Sequence, residues 1–144
     1  LLSPKLFKKY IIPRYKVITE YLRSQGVDII IVDSDGNVEE LIPLWLKAGI
    51  NGFFPLEVQA GMDVAKLRKK YGKNILLIGG IDKRALPKGK KEIREEVQRV
   101  VPVIEQGGYI PMLDHIPPPD ISFKNYWYYI KYLKRALTGS SLGD

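Results

Sequence analysis

Acidic and histidine side chains follow apolar segments of this chain at points where β-strands would end. The first such segment is followed by Asp33-Ser34-Asp35, and the last by Asp114-His115. Carboxylates and imidazoles are the groups that most often act in general acid–base catalysis, and they also bind metal ions. The sequence therefore predicts a reactive site, provided that the fold brings these strand ends together.

Four β-rich segments alternate with segments of helical periodicity. The predicted strands are Val27 to Val32, Gly52 to Leu56, Ile75 to Ile78 and Tyr109 to Leu113. Apolar residues at helical spacing mark the intervening helices, and a last helix is expected from about Phe123 to Leu137. Such alternation predicts an α/β fold with parallel strands, in which one helix precedes four β–α units.

The length of each unit favours a barrel. Each unit takes about 25 to 30 residues, close to one-eighth of a TIM (β/α)8 barrel of roughly 250 residues. Four units in 144 residues amount to half a barrel, which we treat as a single domain over residues 1–144. An open doubly wound sheet is the alternative. Because the chain does not begin with Met, we expect it to be a fragment of a longer barrel.

Turn-forming residues separate the predicted elements. Ser3-Pro4 indicates the start of the first helix, and Pro13 is expected to kink or divide that helix. Ala48-Gly49 and Gln106-Gly107-Gly108 are typical of helix ends.

In barrels of this class the chemistry lies at the carboxyl ends of the strands and in the loops that follow them. We predict three catalytic residues there, which are His115, Asp33 and Asp35, and four substrate-binding residues, which are Glu57, Asp82, Asp114 and Arg84. Structural roles are the alternatives: Asp35, Asn37 and Asp82 also fit capping positions, and a lone histidine is often structural. A carboxylate such as Glu57 after a buried strand requires a partner.

A metal site is a further possibility at these strand ends. Asp33, Asp35, Glu57 and His115 would suit Mg²⁺ or Mn²⁺ better than Zn²⁺. Their spacing is not diagnostic, so the metal content stays open. The chain has no cysteine, which excludes thiolate metal ligands, disulfides and thiol nucleophiles from it.

Charge and hydropathy narrow the range of partners. The chain has 23 basic and 16 acidic side chains, a net charge of +7. The basic residues are scattered along amphipathic helices, so we expect a small-molecule substrate and no nucleic acid. No apolar run approaches the roughly 18 residues of a membrane span, and no signal peptide is recognisable. We therefore expect a cytoplasmic protein without a membrane partner.

The motifs taken together resemble the uroporphyrinogen decarboxylase (URO-D) superfamily, which also contains cobalamin-linked methyltransferases. The resemblance lies in three segments, which are Ser3-Pro4-Lys5-Leu6-Phe7 with Pro13, Leu77-Ile78-Gly79-Gly80-Ile81-Asp82 with Leu86, and Gly108-Tyr109-Ile110 through Asp114-His115-Ile116-Pro117-Pro118. It implies strands five to eight of a (β/α)8 barrel. Pro55-Leu56-Glu57 with Gly61-Met62-Asp63 looks like a less characterised subgroup.

The resemblance also implies an activity. A decarboxylase of this superfamily is a lyase of porphyrin biosynthesis that acts on an anionic tetrapyrrole without a cofactor. His115 matches its substrate-contacting histidine, which would help to protonate the pyrrole as CO₂ leaves. Asp114 and Ile116 stand where the decarboxylases have glycines.

Two alternatives remain open from the sequence. One is a corrinoid-linked methyltransferase relative, with a methylcorrinoid as methyl donor and a divalent metal; the zinc-binding His-x-Cys pair of that branch, expected near Asp33 and Asp35, has no counterpart here. The other is a non-catalytic half-barrel fragment. Half a barrel exposes its inner strands and two sheet edges, so we expect a homodimer or a missing N-terminal half to cover them.

Overall fold

Four parallel strands form one sheet in a computed structural model that describes residues 2–139. The strands are β1 (Ile31–Asp33), β2 (Gly52–Phe54), β3 (Leu76–Ile81) and β4 (Tyr109–Leu113). They lie side by side in chain order, β1-β2-β3-β4, and every pairing is parallel. This arrangement confirms the predicted α/β class and is that of consecutive units of a (β/α)8 barrel.

Helices follow or precede each strand. They are α1 (Pro4–Leu6), α2 (Ile12–Ser24), α3 (Ile42–Lys47), α4 (Val64–Tyr71), α5 (Lys90–Ile104) and α6 (Phe123–Thr138). Short 3₁₀ helices cover Val58–Ala60, Gly72–Asn74 and Lys83–Ala85. Polar side chains cap three of the helices, since Ser3, Asp63 and Ser122 accept hydrogen bonds from first-turn amides of α1, α4 and α6.

The first helix is not divided at Pro13. A π-helical segment, Phe7–Ile11, joins α1 to α2, and Pro13 lies in the first turn of α2. Proline has no N–H to donate to the preceding turn, so the helix accommodates it with a wider turn just before it. The Arg14 guanidinium donates to the Tyr10 carbonyl in this region.

The first strand is shorter than the sequence predicted. Residues 27–30 precede the paired strand, and the Asn51 side chain takes the place of a ladder there. Its Oδ1 accepts from the Ile30 N–H at 2.8 Å, and its Nδ2 donates to the Asp28 carbonyl at 2.9 Å. A side chain that satisfies the backbone in this way leaves no regular pairing to extend the strand.

The second and third strands also differ from the prediction at their carboxyl ends. β2 stops at Phe54 because Pro55 has no N–H for the ladder. β3 runs on to Ile81, through Gly79 and Gly80, and pairs with β4 from Leu77 to Ile81. The predicted range of β4 is correct.

One face of the sheet is buried beneath the helices. Val32, Phe53, Leu77 and Tyr109 form a row across all four strands, and each is at most 9% exposed. α5 packs on this face with apolar residues at helical spacing, among them Ile93, Val97 and Val100, which are fully buried. Burial of this row and its partners supplies the apolar core of the domain.

The opposite face of the sheet remains open. Ile31, Ile110 and Met112 on this face are 46%, 60% and 40% exposed. Alternate residues of β4 are therefore buried and exposed, as expected where helices cover only one side of a sheet. Within residues 2–139, each helix is too short or too polar to cross a lipid bilayer.

Candidate functional site

A cavity of about 490 Å³ lies at the carboxyl ends of β1 and β4. Its floor and walls come from the strand ends, from the loop after β4 and from the inner face of α6. The lining residues are Asp33, Asp35, Phe54, Pro55, Pro111, Met112, Leu113, Asp114, His115, Ile116, Pro117, Tyr126, Tyr129, Ile130 and Leu133. The structure thus brings four of the seven predicted site residues together in one cavity.

One polar contact in this cavity joins His115 to Asp35. The Nε2 atom of His115 lies 3.5 Å from Oδ1 of Asp35, and the pair becomes ionic when the ring is protonated. The His115 side chain is 32% exposed and the Asp35 side chain is 76% exposed. The contact is suited to proton transfer, because the carboxylate can orient the ring and balance its charge.

The other ring nitrogen of His115 faces the protein. Its Nδ1 is buried and has no hydrogen-bond partner within residues 2–139. A buried nitrogen of this kind is unsatisfied and carries a free-energy cost. It is therefore a buried polar atom at the cavity whose hydrogen bonding the described residues leave incomplete.

Asp33 occupies the last position of β1. The Ser34 N–H that follows it donates to the Phe54 carbonyl at 2.9 Å, which continues the ladder between β1 and β2. This bond fixes the start of the Asp33-Ser34-Asp35 loop at the edge of the cavity. Both carboxylates are exposed there and can meet a substrate.

Asp114 is fully buried, with 0% of its surface exposed. Its Oδ2 accepts from the Val58 N–H at 2.9 Å, and its Oδ1 accepts from the Lys83 N–H at 3.3 Å. The carboxylate is therefore engaged by the backbone of two loops. Its predicted role in binding substrate remains a prediction.

Glu57 lies outside the cavity lining. Its Oε2 accepts from the Gly36 N–H at 3.0 Å, so this carboxylate joins the loop after β2 to the loop after β1. The sequence indicated that such a carboxylate needs a partner, and the structure supplies a backbone amide. The bond holds the loop that carries Asp35.

Asp82 and Arg84 also lie outside the cavity lining and pair with each other. Arg84 donates to both carboxylate oxygens of Asp82, at 2.8 to 3.1 Å, and the Arg84 N–H donates to Oδ1 at 2.9 Å. Burial alone would raise the pKa of Asp82, but the hydrogen bonds and charge of Arg84 outweigh it and lower that pKa. The structure therefore shows the capping role that was the alternative interpretation of Asp82.

Aromatic residues of α6 line the cavity and were not among the predicted site residues. Tyr126, Tyr129, Ile130 and Leu133 form one helical face toward it. Burial raises the pKa of Tyr129, so its phenol stays protonated. The spacing of these four residues was visible in the sequence, but it is equally typical of a helix face that packs only on a core.

The residues present do not make a metal site by themselves. Within the part of the chain that the structure describes, His, Asp and Glu side chains form no group of three or more that could hold a metal ion. The chain also has no cysteine for a thiolate zinc site. The donors of the predicted set are instead divided, with Glu57 on a backbone amide and His115 beside Asp35.

Comparison with known proteins agrees with this fold. The family model described as Uroporphyrinogen decarboxylase (URO-D) matches residues 1–136. Among nine solved chains with significant structural similarity is a methyltransferase from Methanosarcina mazei, which superposes with a TM-score of 0.65 at 19% identity. The superposition covers 96% of this chain and 38% of that one. A search of curated protein sequences found no significant match.

The two comparisons support different statements. At 19% identity, the structural similarity establishes the barrel fold and no activity. The family match extends over nearly all of the sequence, including the helix before β1, all four strands and the His115 loop. It confirms the resemblance found in the sequence motifs. The chain belongs to the uroporphyrinogen decarboxylase family.

Proposed function

We propose that this chain provides the proton-transfer side of the active site in a carboxy-lyase of the uroporphyrinogen decarboxylase type. The observation that carries the proposal is the 3.5 Å approach of His115 Nε2 to Asp35 Oδ1 at the edge of a largely apolar cavity. The proposed substrate is a tetrapyrrole with acetate side chains, converted in porphyrin biosynthesis. Because the chain spans 38% of the solved structural relative, this activity would be that of a larger enzyme.

The proposed reaction replaces a carboxyl group by a proton. Protonation of a pyrrole ring carbon gives a ring cation, and the bond between the acetate methylene and its carboxylate then breaks. The bonding electrons flow into the ring, CO₂ leaves, and the methylene carbon takes up a proton to become a methyl group. The ring carbon then releases the proton that it took up first, which restores the pyrrole, so one proton is consumed in total. In this scheme His115 delivers a proton, and the carboxylates of Asp33 and Asp35 stabilise the ring cation.

The charges of the cavity indicate which part of the substrate faces this chain. The described lining contains the carboxylates of Asp33 and Asp35 but no Lys or Arg. Carboxylates would repel acetate groups and attract a ring that develops positive charge. We therefore place the reacting pyrrole against this chain and assign the binding of the remaining substrate carboxylates to residues outside it.

The test is the release of CO₂ from uroporphyrinogen by the full-length enzyme and its His115→Gln variant. Loss of a positioned general acid lowers kcat by about two to four orders of magnitude. Asp28→Asn is the control, because Asp28 lies before β1 at the opposite end of the sheet. Unchanged turnover in His115→Gln would contradict the assignment, and no turnover in the wild type would contradict the reaction.

A corrinoid-linked methyl transfer is the second candidate, and the acidic lining favours it on one point. Carboxylates and aromatic side chains such as Tyr126 suit a cationic substrate group better than an anionic one. The described donors do not fit the zinc site of that branch, so we derive no step through a metal. Demethylation of a methylcorrinoid by the full-length enzyme, in the absence of decarboxylation, would select this alternative.

A cytoplasmic location is part of the proposal. The chain has no cysteine that would need an oxidising compartment for disulfide formation. Fractionation of cells that express the full-length protein would test it.

A further inference from the structure

The Asp114 carboxylate joins three of the four strand ends. Val58, whose N–H it accepts, begins the 3₁₀ helix after β2, and Lys83 begins the 3₁₀ helix after β3. The Asp114 N–H donates in turn to the Ile81 carbonyl at the end of β3, at 2.9 Å. One side chain thus ties two loops to the end of β4. We call Asp114 with these two amides the Asp114 clamp.

The chemistry of the clamp requires a carboxylate. An ionised Asp has two acceptor oxygens and no donor, so each oxygen can take one of the two N–H groups. Hydrogen bonds to a charged acceptor are also stronger than neutral ones. Asn at this position would turn its NH₂ group toward one of the two backbone N–H groups. Because both of these groups are donors, neither would have an acceptor.

The clamp lies next to the residue that carries the proposed proton transfer. His115 follows Asp114 directly, and its Nε2 meets Asp35 on the loop after β1. The loop of Asp35 is held by the Gly36 bond to Glu57, and Val58 of the clamp is the residue after Glu57. The two partners of the His115–Asp35 contact are therefore fixed to the same short segment of the loop after β2.

We propose that Asp114 is a positioning residue, whose buried carboxylate sets the place of the His115 ring opposite Asp35. Asp114 itself touches no substrate in this assignment. Its effect on catalysis rests on the function proposed above, whereas its effect on the ring position does not.

The test uses the single histidine of the 144-residue chain, whose ring resonances in NMR spectra are free of overlap from other histidines. Asp35→Asn should shift the ring signals of His115, because it removes the charge beside Nε2. In an Asp114→Asn background the same Asp35 substitution should produce little or no shift, because the ring no longer lies opposite that position.

Asp63→Asn serves as the matched control. The Asp63 carboxylate also accepts two backbone N–H groups, those of Ala65 and Lys66 at 2.8 and 3.2 Å, but it caps α4 and does not line the cavity. In the Asp63→Asn background, Asp35→Asn should still shift the ring signals of His115. An equal shift in the Asp114→Asn and Asp63→Asn backgrounds would overturn the proposal.

A second measurement covers the case in which Asp114→Asn does not fold. Hydrogen exchange of the wild-type chain reports on the Val58 and Lys83 amides, which the clamp should protect. Slow exchange of both supports the clamp, and exchange at the rate of an open amide overturns it.

The kinetic consequence separates this inference from the proposed function. In the full-length enzyme, Asp114→Asn should lower kcat with little change in KM, since it misplaces a reacting group and not a binding group. If Asp114→Asn abolishes the effect of Asp35→Asn on the His115 ring signals while turnover is unchanged, the positioning role stands and the proposed role of His115 fails.

Discussion

His115 Nε2 lies 3.5 Å from Asp35 Oδ1 although the two residues follow strands at opposite edges of the four-stranded sheet. A flat sheet would hold edge strands well over 10 Å apart, since neighbouring strands are spaced by about 4.8 Å. β1 ends at Asp33 and β4 ends at Leu113, so Asp35 and His115 both lie in the loops that follow these strands. The contact is therefore made by the two loops and not by the paired strands.

Asp35→Asn should separate activity from stability. The Asp35 side chain is 76% exposed, so we expect the free energy of unfolding to change by less than about 0.5 kcal/mol. Turnover of the full-length enzyme should fall, because the variant removes the charge beside the imidazole. Urea unfolding and a CO₂ release assay measure the two effects. A large loss of stability would show that Asp35 is structural.

The Asp82–Arg84 pair should make stability depend on pH in acid. The pKa of Asp82 is lower in the folded state than in the unfolded state. The pair therefore stabilises the fold fully above the unfolded-state pKa of about 3.9. This stabilisation is lost as the pH falls through the lower folded-state pKa. Urea unfolding between about pH 5 and pH 2 should show a shallower decline for Asp82→Asn than for the wild type. Parallel curves would contradict this assignment.

Arg68 should matter for stability and not for turnover. Its guanidinium is buried and donates to four carbonyls at the amino-terminal ends of β3 and β4, those of Gly72, Ile75, Gly107 and Gly108. Arg68→Met leaves these acceptors without their donor and should cost about 2 to 4 kcal/mol in the free energy of unfolding. Lys66→Met, at an exposed position of the same helix, is the control. A loss of turnover in Arg68→Met protein that is still folded would contradict this prediction.

Gly79→Ala should prevent or severely weaken folding. Gly79 has φ +96°, and an added Cβ would overlap the Pro55 carbonyl oxygen, which already accepts from the Gly80 N–H at 2.9 Å. Left-handed strain and the overlap together should cost at least about 3 kcal/mol. Gly26→Ala, at φ +81° with open space around it, should cost only about 1 to 2 kcal/mol. Thermal unfolding measures both, and equal costs would refute the steric argument.

The 144-residue chain alone should self-associate through its open sheet face. Ile31, Ile110 and Met112 expose apolar surface there, and the outer edges of β1 and β4 have unpaired backbone groups within the sheet described. Light scattering should give a molar mass above that of the monomer, and Ile110→Lys should lower it. Leu137→Lys on α6 is the control. A wild-type chain that stays monomeric at high concentration would disprove this expectation.

The sequence was sufficient for the order of elements because the apolar patterns are local. β4 was predicted with its correct range, because the run Tyr109 to Leu113 lies between Gly107-Gly108 and Asp114. The start of β1 was predicted too early, because Val27 to Ile30 has the composition of a strand but is bonded by the Asn51 side chain. A local sequence pattern does not show which extended residues will pair with a neighbouring strand.

The candidate site was predictable as a set of positions and not as a set of contacts. Residues at strand ends can be read from the sequence, but the partners of Asp114 are 56 and 31 residues away in the chain. Whether a carboxylate at a strand end faces a cavity or a backbone amide depends on the course of other loops. Glu57 and Asp114 were therefore assigned to substrate, and their observed hydrogen bonds are to the backbone.

The sequential strand order has a consequence for how the chain acquires its structure. Each strand after β1 pairs with the strand that precedes it in the chain, so its partner has already been synthesised when the strand itself is made. Contacts between neighbouring units keep the contact order low for a parallel sheet, which favours rapid formation. On the ribosome, each β–α unit can dock on the one already made, and the His115–Asp35 contact closes only when the fourth strand has joined. The reacting pair thus forms only after the fourth strand has joined, and its presence reports that the four-stranded sheet is in place.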